Sequence, residues 1–248
     1  MATLYGTLLQ PLSAGECKVT PRCSVRVGDD GRIADIASDQ APPRDAVGDA
    51  ACWILPGFVD AHLHVAQWDR RGIDGVPLFK WQDKIGFPAE MRMSDPAAAT
   101  AMAEQFASGV IARGTTCVVA FGTSLAAEVD ATFTVFAKRG LRATYGMSLN
   151  DLRVPDAMAQ SPDKALDQSR QLAAKWHGAQ DGRLHYAFSP RSSVYCSEQL
   201  MRGAAALADM LKCPIQTHIA DSRDEVSLSH QLFPDRGDVW DLVAEMGL

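Results

Sequence analysis

The clearest chemical signal in the sequence is a pair of histidines at the end of a short apolar segment. The segment reads Pro56-Gly-Phe-Val-Asp-Ala-His62-Leu-His64. Because side chains alternate along a strand, His62 and His64 point to the same side, and they fall at the carboxyl end, where α/β folds place their sites. Two neutral imidazoles side by side suit Zn²⁺ or Fe²⁺. The alternative is a pair of exposed loop histidines without a ligand.

A third histidine ends a second segment of the same kind, Cys213-Pro-Ile-Gln-Thr-His218. Catalytic zinc usually has three protein ligands and a water, so His218 would complete a set with His62 and His64. A histidine at a strand end, taken alone, is as often just a hydrogen-bonded polar residue.

The segments that must position these histidines alternate between strand and helix. Strands are predicted at 57–63, 115–121, 141–147, 184–188 and 214–218, and helices at 96–113, from Leu125 to Gly140, and at 162–176, 197–212, 222–232 and 238–246. This alternation predicts a parallel sheet with helical crossovers. Five strand and helix units fit either an open five-stranded α/β sheet or most of a (β/α)8 barrel, which needs eight.

The first fifty residues predict a separate β unit. Residues 3–9 read as a strand, and residues 25–27 face 33–36 across Gly28-Asp-Asp-Gly31, where Asp-Gly favours a tight hairpin. The polar stretch 38–49, which contains two prolines, reads as a link between this unit and the alternating strands and helices.

Composition excludes several classes of protein. With 248 residues, 47% of them hydrophobic and 22% charged, the chain is typical of a soluble globular protein. The 24 basic and 30 acidic residues leave a net charge of −6 without a Lys/Arg cluster, which argues against nucleic acid and anionic membranes as partners. Six scattered cysteines without a Cys-x-x-Cys pair, and no leader-like or membrane-spanning apolar run, predict a cytoplasmic protein.

Four segments together resemble the metal-dependent amidohydrolase superfamily and, within it, the guanine deaminases. They are His62-Leu-His-Val-Ala-Gln67, Pro77-Leu-Phe-Lys-Trp81 with Phe87-Pro-Ala-Glu90, Ser189-Pro-Arg191-Ser-Ser193, and His218-Ile-Ala-Asp221-Ser-Arg-Asp-Glu225. The resemblance runs across nearly the whole chain. It implies an N-terminal β-strand unit at 1–54, half of a small β-sandwich, and a partial TIM-like (β/α)8 barrel at 55–248, truncated after the fifth βα unit.

The resemblance also implies a ligand set. A single zinc ion would be held by His62, His64 and His218, with iron as the alternative metal. Binuclear members of the superfamily use a carbamylated lysine on the fourth strand, and residues 184–190 contain no lysine, which favours one ion.

The resemblance implies that a purine substrate would contact Gln67, Arg191 and Ser192, which stand at the positions of the family's substrate-binding residues. The fixed fork of donors on Arg191 suits a ring carbonyl oxygen. Two alternatives stay open: Gln67 caps the loop after the first strand, and Arg191 pairs with a surface carboxylate.

Asp221 stands three residues after His218, where the family has a glutamate that moves protons to the purine. The aspartate is one methylene shorter, so its reach falls by about 1.3 to 1.5 Å, judged from bond lengths. The alternative is that Asp221 caps the following helix, where Ser222-x-x-Glu225 fits a capping box.

The activity expected from the resemblance is the zinc-dependent hydrolytic deamination of guanine to xanthine and ammonia, with this chain as the N-terminal part of the enzyme. A truncated and inactive chain that binds metal or purine is one alternative. A related amidohydrolase that acts on another aminated or chlorinated heterocycle is a second. Open sheet edges in a partial barrel would favour aggregation or a homodimer.

Overall fold

A long antiparallel hairpin opens the chain. In the computed structural model, which describes residues 2–248, β1 (Ala2–Ser13) pairs with β2 (Glu16–Val27), and β3 (Ile33–Ala37) and β4 (Trp53–Ile54) complete a sheet of order β3-β2-β1-β4. This sheet lies in a unit that ends at Gly57, and a second unit comprises Phe58–Leu248. The division into domains at 54 and 55 remains a prediction.

The predicted hairpin register is present in the first unit. Val27 pairs with Ile33 and Val25 with Ile36 across the turn at Gly28-Asp-Asp-Gly31. The strands are longer than residues 3–9 predict, because β1 and β2 continue to a turn at Gly15, whose φ of +85° a glycine adopts without strain. The stretch 38–49 is not only a link, since Val47 forms a parallel bridge with Leu4 of β1.

The second unit alternates strands and helices as predicted. Its elements are β5 (Phe58–His64), α1 (Leu78–Trp81), α2 (Phe87–Met91), α3 (Pro96–Ile111), β6 (Thr115–Phe121), α4 (Ala126–Arg139), β7 (Arg142–Gly146), β8 (Ser148–Leu149), α5 (Pro162–Trp176), α6 (Ala179–Gly182), β9 (Leu184–Tyr186), β10 (Ser189–Pro190), α7 (Glu198–Leu211), α8 (Arg223–Leu232) and α9 (Val239–Glu245). Short 3₁₀ helices span Val65–Arg70 and Arg92–Ser94, and a π-helical turn spans Gln82–Gly86.

The strands of this unit form the wall of a partial TIM-like barrel. All neighbours in the order β5-β6-β7-β9 are parallel, and β8 and β10 pair in parallel beyond β7 and β9. The fifth predicted strand, 214–218, contributes one bridge, between Ile215 and Phe188. Parallel strands bring their carboxyl ends to one edge, so His64 at the end of β5 lies opposite Phe121 at the end of β6.

Amphipathic helices cover the sheet and enclose the core. Phe106 of α3, Phe133 and Phe136 of α4 and Tyr145 of β7 are all fully or almost fully buried. Helix α4 ends at Gly140 in the left-handed conformation, as the sequence predicts. No helix within residues 2–248 is both long enough and apolar enough to cross a membrane.

Candidate active site

Three histidines converge at the carboxyl edge of the parallel sheet. His62 and His64 belong to the end of β5, and His218 follows the bridge at Ile215. The potential ligand atoms of the three side chains all lie within 4.8 Å of one another. The sequence predicted this convergence because each histidine ends a strand-like segment, although His64 and His218 are 154 residues apart in the chain.

The nitrogens of the cluster face each other. Nε2 of His64 lies 3.1 Å from Nε2 of His218, and the ring of His62 lies edge-on to the other two at centroid distances of 5.6 and 5.0 Å. Nδ1 of His218 is 2.7 Å from the carbonyl oxygen of Arg191. Because a carbonyl oxygen can only accept, His218 carries its proton on Nδ1 and leaves Nε2 as a lone pair that points at His64.

This donor set fits a metal ion. Two nitrogens that each bind zinc at about 2.0 to 2.1 Å with tetrahedral geometry lie about 3.3 Å apart, close to the 3.1 Å between the two Nε2 atoms. Nδ1 of His64, the ring nitrogen that faces away from His218, is buried and has no hydrogen-bond partner among the described residues. Burial lowers the pKa of His64 well below its usual value and also lowers the pKa of His218, which keeps both rings neutral, as metal ligands must be.

Phe121 supplies an apolar wall for the cluster. Its ring stacks on His64 at a centroid distance of 5.0 Å and lies 4.4 Å from His218 and 5.6 Å from His62. It is 1% exposed. Sequence patterns assigned Phe121 no role, although its place at the end of β6 is the signal that would have found it.

Arg191 lies directly beside this cluster in a fully buried ion pair. Its Nη2 and Nη1 donate to the two carboxylate oxygens of Glu90 at 2.5 and 3.0 Å, and Nη2 also donates to Oε1 of Gln82 at 3.3 Å. The side chains of Arg191 and Glu90 are 2% and 1% exposed. Burial works against the charge of Arg191, and the Glu90 carboxylate raises the pKa of the guanidinium above its usual value. The carboxylate that pairs with Arg191 is therefore a buried one, not the surface group considered from sequence.

Two donors at this point of the chain have no partner. Nε of Arg191 and the hydroxyl of Ser192 are buried and make no hydrogen bond to any residue between 2 and 248. A buried donor without a partner costs free energy, and a bound ligand would remove that cost.

Gln67 lies in the 3₁₀ helix Val65–Arg70 and lines a cavity of about 270 Å³. His64, Trp68 and Trp81 also line this cavity. The N-cap of this helix, His64, makes no side-chain capping hydrogen bond, and a capping role for Gln67 remains the alternative prediction. Arg191 does not line this cavity, so the structure does not place Gln67 and Arg191 in one open space.

Asp221 is exposed and follows Ala220, which has a left-handed φ of 57°. Its backbone N–H donates to Oε2 of Glu225 at 2.7 Å, while its carboxylate makes no hydrogen bond within the described chain. Ser222 is the N-cap of α8, since its hydroxyl accepts from the backbone N–H of Glu225 at 3.1 Å. The capping alternative for Asp221 is therefore wrong. The charge of Asp221 acts on His218, where it partly opposes the effect of burial on the pKa of the imidazole.

The partial barrel and the three histidines at its carboxyl edge agree with the comparison with known proteins. Residues 53–242 match the Amidohydrolase family, and the chain belongs to this family.

Particular relatives lie among the purine deaminases. The chain is 32% identical over 235 residues to a probable guanine deaminase of Deinococcus radiodurans, and this alignment covers 91% of the chain and 53% of the relative. It is also 32% identical over 213 residues to a 5'-deoxyadenosine deaminase of Methanothermobacter thermautotrophicus, and that alignment covers 83% of the chain and 48% of the relative. The solved structure of the Escherichia coli guanine deaminase superimposes with a TM-score of 0.90 at 25% identity, over 100% of this chain and 60% of that one. The chain thus spans about half the length of the curated relatives that it matches.

Proposed function

We propose that this chain carries the metal-binding and purine-binding residues of an enzyme that deaminates guanine hydrolytically to xanthine and ammonia. The observation that carries the proposal is the direct bond between the two parts of the site. His218 of the histidine cluster donates from Nδ1 to the carbonyl oxygen of Arg191 at 2.7 Å, so metal ligand and purine contact are held by one residue pair. The similarity to guanine deaminases over most of the chain supports the same substrate.

His62, His64 and His218 would hold one metal ion, zinc in the first instance and iron as the alternative. Such an ion, when bound, lowers the pKa of a water to about 7 and so makes a nucleophile available at neutral pH. Phe121 excludes water from one side of the three rings, which strengthens electrostatic interactions at the cluster.

Arg191 and Ser192 would orient the purine. The unpartnered Nε–H of Arg191 is a charged donor that suits the ring carbonyl oxygen of guanine, and the unpartnered hydroxyl of Ser192 is a second donor beside it. Gln67 offers an amide that both donates and accepts from the cavity next to His64.

Asp221 would move protons between the attacking water and the substrate. Its carboxylate is exposed and free of hydrogen bonds to the described chain, and its charge already acts on His218. A carboxylate so placed takes a proton from the water and gives one to the ring or to the departing amine.

A second candidate is the deamination of another aminated purine. The relative that acts, by its name, on 5'-deoxyadenosine is as similar in identity as the probable guanine deaminase. Adenine-type purines carry an amine where guanine carries the carbonyl oxygen, so the donor-only fork of Arg191 favours guanine.

The experiment is a turnover assay with the zinc-loaded product of the complete reading frame that contains these 248 residues. Release of xanthine and ammonia from guanine, and a large loss of guanine turnover in R191A, is the expected result. Absence of xanthine would refute the proposal, and unchanged kcat/KM in R191A would refute the role of Arg191. An enzyme that releases ammonia from an adenine nucleoside and not from guanine would establish the second candidate.

A further inference from the structure

The guanidinium of Arg191 is held from one side. Of its five N–H donors, two bind the carboxylate of Glu90 and one binds Oε1 of Gln82. The remaining donors are Nε–H, which is buried without a partner, and one hydrogen of Nη1. Both hydrogens of Nη2 are used, so Nε–H is the free donor on the edge that it shares with Nη2, next to the bond to Gln82. The free hydrogen of Nη1 lies on the opposite edge, beside Cδ.

The hold on Arg191 is rigid. The pair with Glu90 is bidentate, which fixes the plane of the guanidinium as well as its position. The guanidinium carbon also lies 5.0 Å from the ring centre of Phe87 and 5.7 Å from that of Tyr195. Phe87 and Tyr195 are themselves packed at a centroid distance of 5.9 Å, so Arg191 has little freedom to turn.

The segment that holds Arg191 depends on a glycine. Gln82 begins the π-helical turn that ends at Gly86, and Glu90 follows in α2. A Cβ atom at Gly86 would come within 2.6 Å of Oε1 of Gln82 and 2.9 Å of the Trp81 ring. A side chain at this position would displace the Gln82 oxygen that Arg191 bonds.

We propose that Glu90, assisted by Gln82, is a positioning residue that makes Arg191 present its Nε–H edge to a carbonyl oxygen of the purine. The inference rests on the proposed function. Among the described residues the Glu90 carboxylate hydrogen-bonds to Arg191 alone, so it acts through Arg191. Its effect is therefore on selectivity: it favours purines that carry an acceptor at this position over purines that carry none.

The test measures the dissociation constants of guanine and of 2-aminopurine, which lacks the carbonyl oxygen, on the zinc-loaded 248-residue chain. Wild-type protein is expected to bind guanine about tenfold or more tightly than 2-aminopurine, because a hydrogen bond from a charged donor is lost with the latter. E90Q is expected to weaken guanine binding by about the same factor and to leave 2-aminopurine binding unchanged. In an R191M background, E90Q should change neither constant.

E128Q is the matched control, because Glu128 is also a buried glutamate and its hydrogen bonds go to Thr123, Thr132 and Tyr145, not to Arg191. It should keep the wild-type preference for guanine. If E90Q does not fold, Q82A gives the same measurement with the ion pair intact and a smaller loss of preference.

The outcomes separate the two proposals. A wild-type chain with no preference for guanine would overturn the contact of Arg191 with the carbonyl, and this inference with it. A wild-type preference that persists in both E90Q and Q82A would overturn only the positioning role. If E90Q weakens the binding of guanine and of 2-aminopurine by the same factor, the preference for guanine stays intact. That result would show a general structural effect and would also overturn the positioning role.

Discussion

His218 and Arg191 are joined twice through one oxygen. The carbonyl of Arg191 accepts from the backbone N–H of His218 at 3.1 Å and from its Nδ1 at 2.7 Å. The backbone bond fixes the position of the His218 backbone next to Arg191. The side-chain bond fixes the tautomer of the imidazole, so that Nε2 is the nitrogen without a proton. The outcome is a histidine whose lone pair is aimed at His64 before any ligand arrives.

We expect this arrangement to bind one zinc ion per chain, and single substitutions at the cluster to abolish it. H64A and H218A should each reduce bound zinc from one equivalent to near zero after desalting, because a three-ligand site loses most of its affinity with one ligand. Zinc content by elemental analysis is the measurement. H230A is the control, since His230 is exposed on α8 and outside the cluster; zinc that remains in H64A would place the ion elsewhere.

Removal of the metal should destabilise the folded chain by mass action. A ligand that binds only the folded state at 100 times its Kd adds about 2.7 kcal/mol to the free energy of unfolding. We therefore expect a chelator to lower the Tm of the wild-type chain and to leave the Tm of H64A unchanged. Thermal unfolding followed by circular dichroism is the measurement, and an equal fall in both proteins would show that the chelator acts independently of the site.

Much of this arrangement follows from local sequence patterns. The strand at 115–121 and the helix at 162–176 have the predicted bounds, because a continuous apolar run and a 3.6-residue period fix them locally. The three histidines were found because each ends a strand-like segment, and parallel strands share an edge.

The remainder of the site is non-local and leaves no such pattern. Glu90 and Arg191 are 101 residues apart, and nothing in the sequence around either shows that it is buried against the other. The stretch 78–94 changes from α to π to α to 3₁₀ helix, so no single period describes it. The strand predicted at 214–218 is reduced to one bridge, since its apolar pattern indicates burial and not the number of hydrogen bonds made.

The buried carboxyl of Glu128 makes stability depend on pH. It accepts hydrogen bonds from Thr123, Thr132 and Tyr145, and burial nevertheless raises its pKa above the usual value. A carboxyl with a raised pKa in the folded state binds its proton more tightly there than in the unfolded chain. Its contribution is therefore fully present below the unfolded pKa of about 4.3 and is lost as the pH rises through the folded value.

The corresponding prediction compares the wild-type chain with E128Q, which cannot titrate. The free energy of unfolding of the wild type minus that of E128Q should fall as the pH rises above about 4, with a slope of at most about 1.4 kcal/mol per pH unit. Urea unfolding across this range measures the difference. A difference that rises with pH would mean that the hydrogen bonds outweigh burial and hold the carboxylate ionised.

Asp221 and Ser222 are neighbours with separable roles. Because the Ser222 hydroxyl caps α8, S222A should lower the free energy of unfolding by about 1 kcal/mol, whereas D221A should leave it within about 0.5 kcal/mol of wild type. Turnover of guanine by the complete enzyme should show the reverse order, with D221N reduced by about 10² to 10⁴ and S222A little changed. D221E restores the longer arm found in the family and should retain activity, because it keeps the carboxylate. Stability loss in D221A without loss of turnover in D221N would return Asp221 to a purely structural role.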